Sequence, residues 1–304
     1  MKILLSEIKP KIKAFVFDFD GTIKSSKEPD CLPLELIERI VSAGKKVAIV
    51  TASGVSALNG LGQQITRLLL EGNYSTRVYL GIANGMGLYG LDKQGKCELY
   101  SYPIEIIDVK KILKAWEKAV SLVGIKDEDL VEKGLTTFKR FLEKDWGRYI
   151  PKDYLSLVKS RKGKCFAERL KVTLVMPRSE VFSQVEFVRM VQEEIDKLTG
   201  KEKFVIETGD DVFAHVTCWP RMEPKLFALN RIKLELELKD RELVVFGDMP
   251  FGNDRGMLID SNLPYTFTNR YFKKKDVKKP PYFLSGLAER PVLSVYRAVN
   301  YLIN

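Results

Sequence analysis

No apolar run in this chain approaches the ~20 residues needed to span a bilayer, and its start, Met1–Ser6, is too short and too soon charged for a signal peptide. A cytoplasmic location without a membrane partner is the expectation. Cys-x-x-Cys spacing is also missing: Cys31, Cys97, Cys165 and Cys218 are scattered, which suggests neither a zinc site nor a disulfide framework, only reduced, structural thiols. Histidine is reduced to one residue, His215, on an apparent strand where such a residue is more often structural than catalytic.

What is present is a globular composition. With 45% hydrophobic and 30% charged residues over 304 positions, the chain can build a sizeable core and is expected to form two domains. The formal charge of +10 favours anionic partners, phosphorylated metabolites or nucleic acid. Its densest source is the segment 270–279, which reads as a solvated loop before it reads as a phosphate-backbone contact.

The organising stretch is Ala14–Ile23, an apolar run of Phe and Val cut off by Asp18, Asp20, Gly21 and Thr22. It reads as a buried strand of a parallel sheet ending in a functional loop, since ligands of open α/β sheets gather at the carboxyl ends of strands. The i, i+2 spacing aims Asp18 and Asp20 the same way if the strand continues. Two such charges call for a cation, and a hard one such as Mg²⁺ suits carboxylates with no histidine or cysteine nearby. An ordinary strand-to-turn exit is the plainer alternative.

Farther along, Pro33–Ala43 has Leu34, Ile37, Ile40 and Val41 at helical spacing, and Val47–Val50 reads as a second buried strand. Thr51, Ala52, Ser53 and Gly54 follow it, then an amphipathic stretch from Ala57 to Leu70; a strand, small hydroxyl residues and a helix can present donors to a phosphate. Val78–Ala83 is a third strand. The Gly-x-Gly-x-x-Gly of Gly85, Gly87 and Gly90 fails as a dinucleotide fingerprint because turn-like sequence follows it, and a hairpin of 86–91 with 96–102 is expected instead.

The middle third alternates helix (Ile104–Val123, with Ile107, Leu113, Trp116, Val120 and Val123 inward), strand (Leu170–Met176), helix (Ser179–Leu198) and short strands (Phe204–Ile206, Val212–Val216), a mixed α+β pattern. Residues 133–164 read as either a helical excursion or a lid. Lys225 falls at the start of a helix beginning near Pro224, where the macrodipole disfavours a cation unless an anion is close. A strand at Leu243–Phe246 then opens into Gly247–Asp254, whose Asp248, Asn253 and Asp254 have the composition of a metal site. A strand at Pro264–Thr268 and a helix at Pro291–Leu302 close the chain.

Taken in order, these segments resemble the four motifs of the haloacid-dehalogenase (HAD) superfamily of phosphotransferases: Asp18–Thr22 the first, Thr51 the second, Lys225 with Ala228 and Leu229 the third, and Gly247–Asp254 the fourth. In the third, Leu226 stands where glycine is usual, and Lys233 is the alternative. Ala83–Tyr89 is similar to a segment of the Cof-like phosphatases that leads from core to cap, with Asn84 facing the substrate. The resemblance implies a Rossmann-like parallel-sheet core, 1–90 and 218–304, with an inserted α+β cap, 91–217.

It further implies a Mg²⁺-dependent phosphomonoester hydrolase acting through an aspartyl-phosphate on a small phosphorylated metabolite, by default a sugar phosphate. Asp18 would be the nucleophile and Asp20 the acid and base; Thr51 and Lys225 would hold phosphoryl oxygens, with Ala52, Ser53 and Asn84 at the substrate. Asp18, the Asp20 carbonyl and Asp248 would hold the metal, oriented by Asn253 and Asp254. Arg169, Lys171 and Arg178 are cap candidates for substrate contact. A fourth loop longer than the Cof-like form keeps a phosphomutase of the phosphomannomutase type as an alternative, and a non-catalytic nucleic-acid-binding protein is a second, disfavoured one; the oligomeric state is left open.

Overall fold

A computed structural model describes residues 2–143, 152–160, 164–208, 211–270, 281–284 and 290–304. The expectation for the basic segment 270–279 lies outside the described residues except at Arg270.

The chain opens with α1 (Lys2–Ile8), β1 (Ala14–Asp18), α2 (Pro33–Ser42) and β2 (Lys46–Val50). A helical stretch follows, α3 (Val55–Ala57), a π-turn at Leu58–Gly62 and α4 (Gln63–Glu71), then β3 (Val78–Ile82), β4 (Gly87–Asp92) and β5 (Gly95–Ser101). The middle contains α5 (Ile106–Leu122), α6 (Glu132–Glu143), α7 (Lys152–Ser160), β6 (Cys165–Ala167) and β7 (Val172–Val175). Next come α8 (Gln184–Thr199), β8 (Phe204–Thr208) and β9 (Phe213–Cys218). The last elements are α9 (Pro224–Leu236), β10 (Leu243–Gly247), β11 (Thr266–Thr268), β12 (Tyr282–Phe283) and α10 (Pro291–Ile303).

These elements form two compact units, one of Met1–Ser53, Ala57–Tyr100 and Met222–Asn304, the other of Gly54–Ser56 and Ser101–Arg221. The first is built on an eight-stranded sheet in the order β12-β11-β10-β1-β2-β3-β4-β5. Pairing is parallel from β12 through β3 and antiparallel between β3 and β4. All five residues of β1 are buried, as expected of a central strand covered on both faces, which is why its sequence is an apolar run without alternation. Phe17 stacks on Phe246 of β10 at 5.3 Å between ring centroids. Asp18 pairs with Val50 of β2 and Phe17 with Phe246, so Asp18, Thr51 and Asp248 all emerge at the carboxyl edge of adjacent parallel strands.

The second unit has an antiparallel sheet in the order β6-β7-β9-β8, with a hydrophobic core that includes residues of α5 and α8. Several expectations are corrected here. Ile107 is 57% exposed, and Val109 and Ile112 take the buried positions on α5. The helix expected from Ser179 starts at Gln184, where the Ser183 hydroxyl accepts from the Glu186 N–H and caps the first turn. In the first unit, Leu36 rather than Leu34 joins the buried face of α2. Within 133–164, residues 133–143 and 152–160 are helical, and β6 (Cys165–Ala167), which the sequence does not suggest, follows directly. No helix among the described residues is long and apolar enough to cross a membrane.

Candidate active site

The carboxyl edge of β1 gathers a buried charge cluster. Lys225 is completely buried, and its Nζ donates to Asp18 Oδ1 at 2.7 Å and to Asp254 Oδ1 at 2.6 Å. This answers the question raised by a lysine at a helix start: two carboxylates compensate it. Glu223 holds the helix end itself, accepting from the N–H groups of Lys225 at 3.2 Å and Leu226 at 2.6 Å. Asp254 Oδ2 accepts from the N–H groups of Asp248 at 2.9 Å and Met249 at 3.0 Å, folding the loop after β10 back on its own strand end. Thr22 donates its hydroxyl to Asp18 Oδ2 at 3.0 Å.

One carboxylate oxygen from each of Asp18, Asp248 and Asp254 lies within 4.8 Å of the others. The donor set is oxygen only and suits a hard divalent cation. Gly21 is part of this cradle. Its φ is +85°, and a Cβ there would stand 2.3 Å from Asp248 Oδ2, so no other residue leaves that carboxylate in place.

The electrostatics reflect several carboxylates crowded into one buried site. Burial, then the charge of Asp254, pushes Asp18 up to about 8 against the opposing pull of Lys225. Burial and Asp254 likewise push Asp248 up to about 7. Burial pushes Glu223 up to about 7, with its two backbone hydrogen bonds opposing. Burial works against the charge on Lys225, but Asp18 and Asp254 outweigh it and hold the ammonium above the ordinary lysine range.

Of the other residues expected from sequence, Thr51 is buried and its Oγ1 accepts from the Ser53 N–H at 3.0 Å. Ala52 and Ser53 are half-buried. Asn84 is buried in the left-handed region with φ 56°, its N–H donating to the Thr51 carbonyl at 2.9 Å while the Ala83 N–H reaches the Ser53 carbonyl at 2.8 Å. The turn after β3 is thereby stapled to the loop after β2. Asp20 is exposed, its backbone in an isolated parallel β-bridge with Lys24, and Asn253 is half-buried beside Asp254 in sequence. Lys233, the alternative lysine, pairs with Asp240 instead of joining the cluster.

Sequence reasoning missed four participants. In sequence Thr22 reads as part of a motif and not as a partner of Asp18, and Glu223 stands unmarked one residue before the expected helix start. Arg270 reads only as the first residue of a basic run, yet its Nη2 reaches Asp248 Oδ2 at 2.9 Å. Asn269 donates to the Gly21 carbonyl at 2.8 Å. The signal available for the last two was their place just past a strand of the parallel sheet.

No protein-family model matches the sequence, and no curated protein does. Solved structures do resemble it. A HAD/Cof-like hydrolase from Plasmodium vivax is similar at a TM-score of 0.60 and 20% identity, over 98% of this chain and 99% of that one. A HAD subclass IIB sugar phosphatase is similar at 0.54 and 19%, over 95% and 99%. An N-terminally truncated IMP-nucleotidase from Plasmodium falciparum is similar at 0.54 and 14%, over 98% and 72%.

Proposed function

We propose that this chain, which has the fold of the haloacid-dehalogenase phosphatases, hydrolyses a small phosphorylated metabolite through an aspartyl-phosphate on Asp18. The observation that carries the reading is Asp18 itself, buried at the end of the central strand and held by Lys225 and Thr22. Hydrolysis by HAD-fold neighbours named as a sugar phosphatase and an IMP-nucleotidase supports it.

In this reading an Asp18 carboxylate oxygen attacks phosphorus while the bond to the leaving alkoxide breaks, replacing one hard displacement by two easier ones. Asp20 gives its proton to the alkoxide and then takes one from the water that attacks the acyl phosphate, which frees phosphate and restores Asp18. Its exposure at the strand exit suits a group that must exchange protons with substrate and water. Thr51, with the loop of Ala52 and Ser53, offers donors to phosphoryl oxygens, and the Lys225 ammonium sets the orientation and charge of Asp18. Asn84, stapled to that loop, faces the substrate.

The acidic cluster fits Mg²⁺, which Asp18, the Asp20 carbonyl and Asp248 would hold, with Asn253 and Asp254 positioning them; bound there, it supplies positive charge to the phosphoryl oxygens. Sugar phosphates are the favoured substrate class.

The test is a phosphate-release screen under Mg²⁺ across sugar phosphates, polyol phosphates, nucleotides and phosphopeptides, with Asp18→Asn beside wild type. The expected result is preference for one or a few small phosphosugars and loss of release in the variant, since an amide cannot form the covalent bond. Wild-type turnover by Asp18→Asn rejects the mechanism, and a strong preference for phosphopeptides rejects the substrate class.

A further inference from the structure

The turn after β1 depends on a glycine that two outside groups hold in place. Gly21 sits at φ +85°, and glycine has the widest backbone freedom of any residue, so its own chemistry does not fix the two peptide groups it joins. The first is made of the Asp20 carbonyl and the Gly21 N–H, and that N–H donates to the Lys24 carbonyl at 2.8 Å. Because a trans peptide is planar, this bond aims the Asp20 carbonyl away from Lys24. The second carries the Gly21 carbonyl, which accepts from Asn269 Nδ2 at 2.8 Å.

Asn269 reaches this turn from two strands away. It follows β11 directly, and the sheet order β11-β10-β1 puts the exit of β10, with Asp248, between it and the loop after β1. Gly21 in turn faces Asp248, since a Cβ on it would stand 2.3 Å from Asp248 Oδ2. All of these groups belong to one compact unit.

Asn269 is 6% exposed, and its Oδ1 meets no hydrogen-bonding partner. Flipping the amide gives no relief, because the Gly21 carbonyl is an acceptor and requires the nitrogen. A buried amide that leaves one acceptor unsatisfied is a poor choice for stability alone, and such groups in native proteins call for an explanation.

Resting on the reading of a Mg²⁺-dependent phosphatase, in which the Asp20 carbonyl and Asp248 hold the cation, we propose that Asn269 is a positioning residue of the metal site. By fixing the peptide after Gly21 it closes the last freedom of the turn, and so sets where the Asp20 carbonyl stands relative to Asp248. Asn269 acts through Gly21 and touches no reacting atom. Its spare oxygen suits the same role, because Mg²⁺ keeps several of its waters and those waters are donors.

The measurement is the Mg²⁺ dissociation constant of the full chain by isothermal titration calorimetry, without substrate. Asn269→Leu matches the asparagine in shape and charge but cannot donate to Gly21. Thr266→Val is the control: Thr266 is 2% exposed on the same strand, and its Oγ1 donates to the Leu258 carbonyl at 2.8 Å, so a comparable buried hydrogen bond is lost away from Gly21. Asn269→Leu should weaken Mg²⁺ about tenfold or more, and Thr266→Val should leave it unchanged although its urea midpoint in chelator falls. Asn269→Ser, polar but too short to reach Gly21, repeats the comparison if the leucine variant does not fold. An unchanged dissociation constant in the Asn269 variant, an equal loss in Thr266→Val, or no Mg²⁺ binding by wild type overturns the proposal. The phosphatase reading fails separately, if wild type binds Mg²⁺ yet releases phosphate from no substrate; the dissociation constants then still decide the role of Asn269. With turnover measurable, half-saturation by Mg²⁺ should rise by the same factor as the dissociation constant while kcat at saturating metal is retained, and a fall in kcat at unchanged half-saturation overturns the proposal.

Discussion

Replacing Lys225 by methionine preserves most of the side-chain volume and removes the charge that two buried carboxylates share. Lys225 is fully buried, with charged hydrogen bonds to Asp18 at 2.7 Å and Asp254 at 2.6 Å. Breaking a buried ion pair by deleting one partner costs roughly 3–5 kcal/mol, because the other charge is left uncompensated. With a urea dependence of about 2 kcal/mol per M, the loss lowers the unfolding midpoint by about 2 M. Far-UV circular dichroism is the appropriate signal, since Trp116, Trp146 and Trp219 all fall in the sequence range of the second unit and Lys225 belongs to the first. Lys233→Met is the control: its pairing with Asp240 is partly exposed, 24% and 54% at the two side chains, and is worth under ~1 kcal/mol. Equal midpoints for wild type and Lys225→Met at pH 7 would refute the buried charge cluster, and a larger loss in Lys233→Met would place the functional lysine one helical face away.

Two further outcomes follow from the same cluster. With divalent metal chelated, Asp18, Asp248 and Glu223 sit at about 8, 7 and 7, above their ordinary 3.8 to 4.5. The folded state then binds more protons than the unfolded state between about pH 4 and 8, so thermal stability should fall as pH rises through that window. Lys225, held above its ordinary 10.5, loses its contribution only above that pH and does not alter the trend. Added Mg²⁺ should offset the fall; a melting temperature that rises from pH 5 to 8 in chelator contradicts the shifts. Gly21→Ala forces a left-handed backbone on a residue with a Cβ and pushes that atom against Asp248, so half-saturation by Mg²⁺ in a phosphate-release assay should rise roughly tenfold or more. An unchanged metal requirement would show that Asp248 does not hold the metal.

The sequence by itself determined the elements whose signal is local. β1 and β10 were legible because strands covered on both faces are continuous apolar runs, and their ends were marked by Asp18 and by Gly247 with Asp248. The start of α9 was legible from Pro224, and a buried anion near Lys225 followed from the macrodipole. Exact helix faces were less so: Ile107 fits the period of α5 yet is exposed, because periodicity gives a stripe but not which edge of it the sheet covers. Only the tertiary structure decided which groups share the site. Lys225 meets Asp18 across 207 positions of sequence, and Asn269 meets Gly21 across 248. Arg270 reads as part of a solvated basic run until β11 brings it beside Asp248.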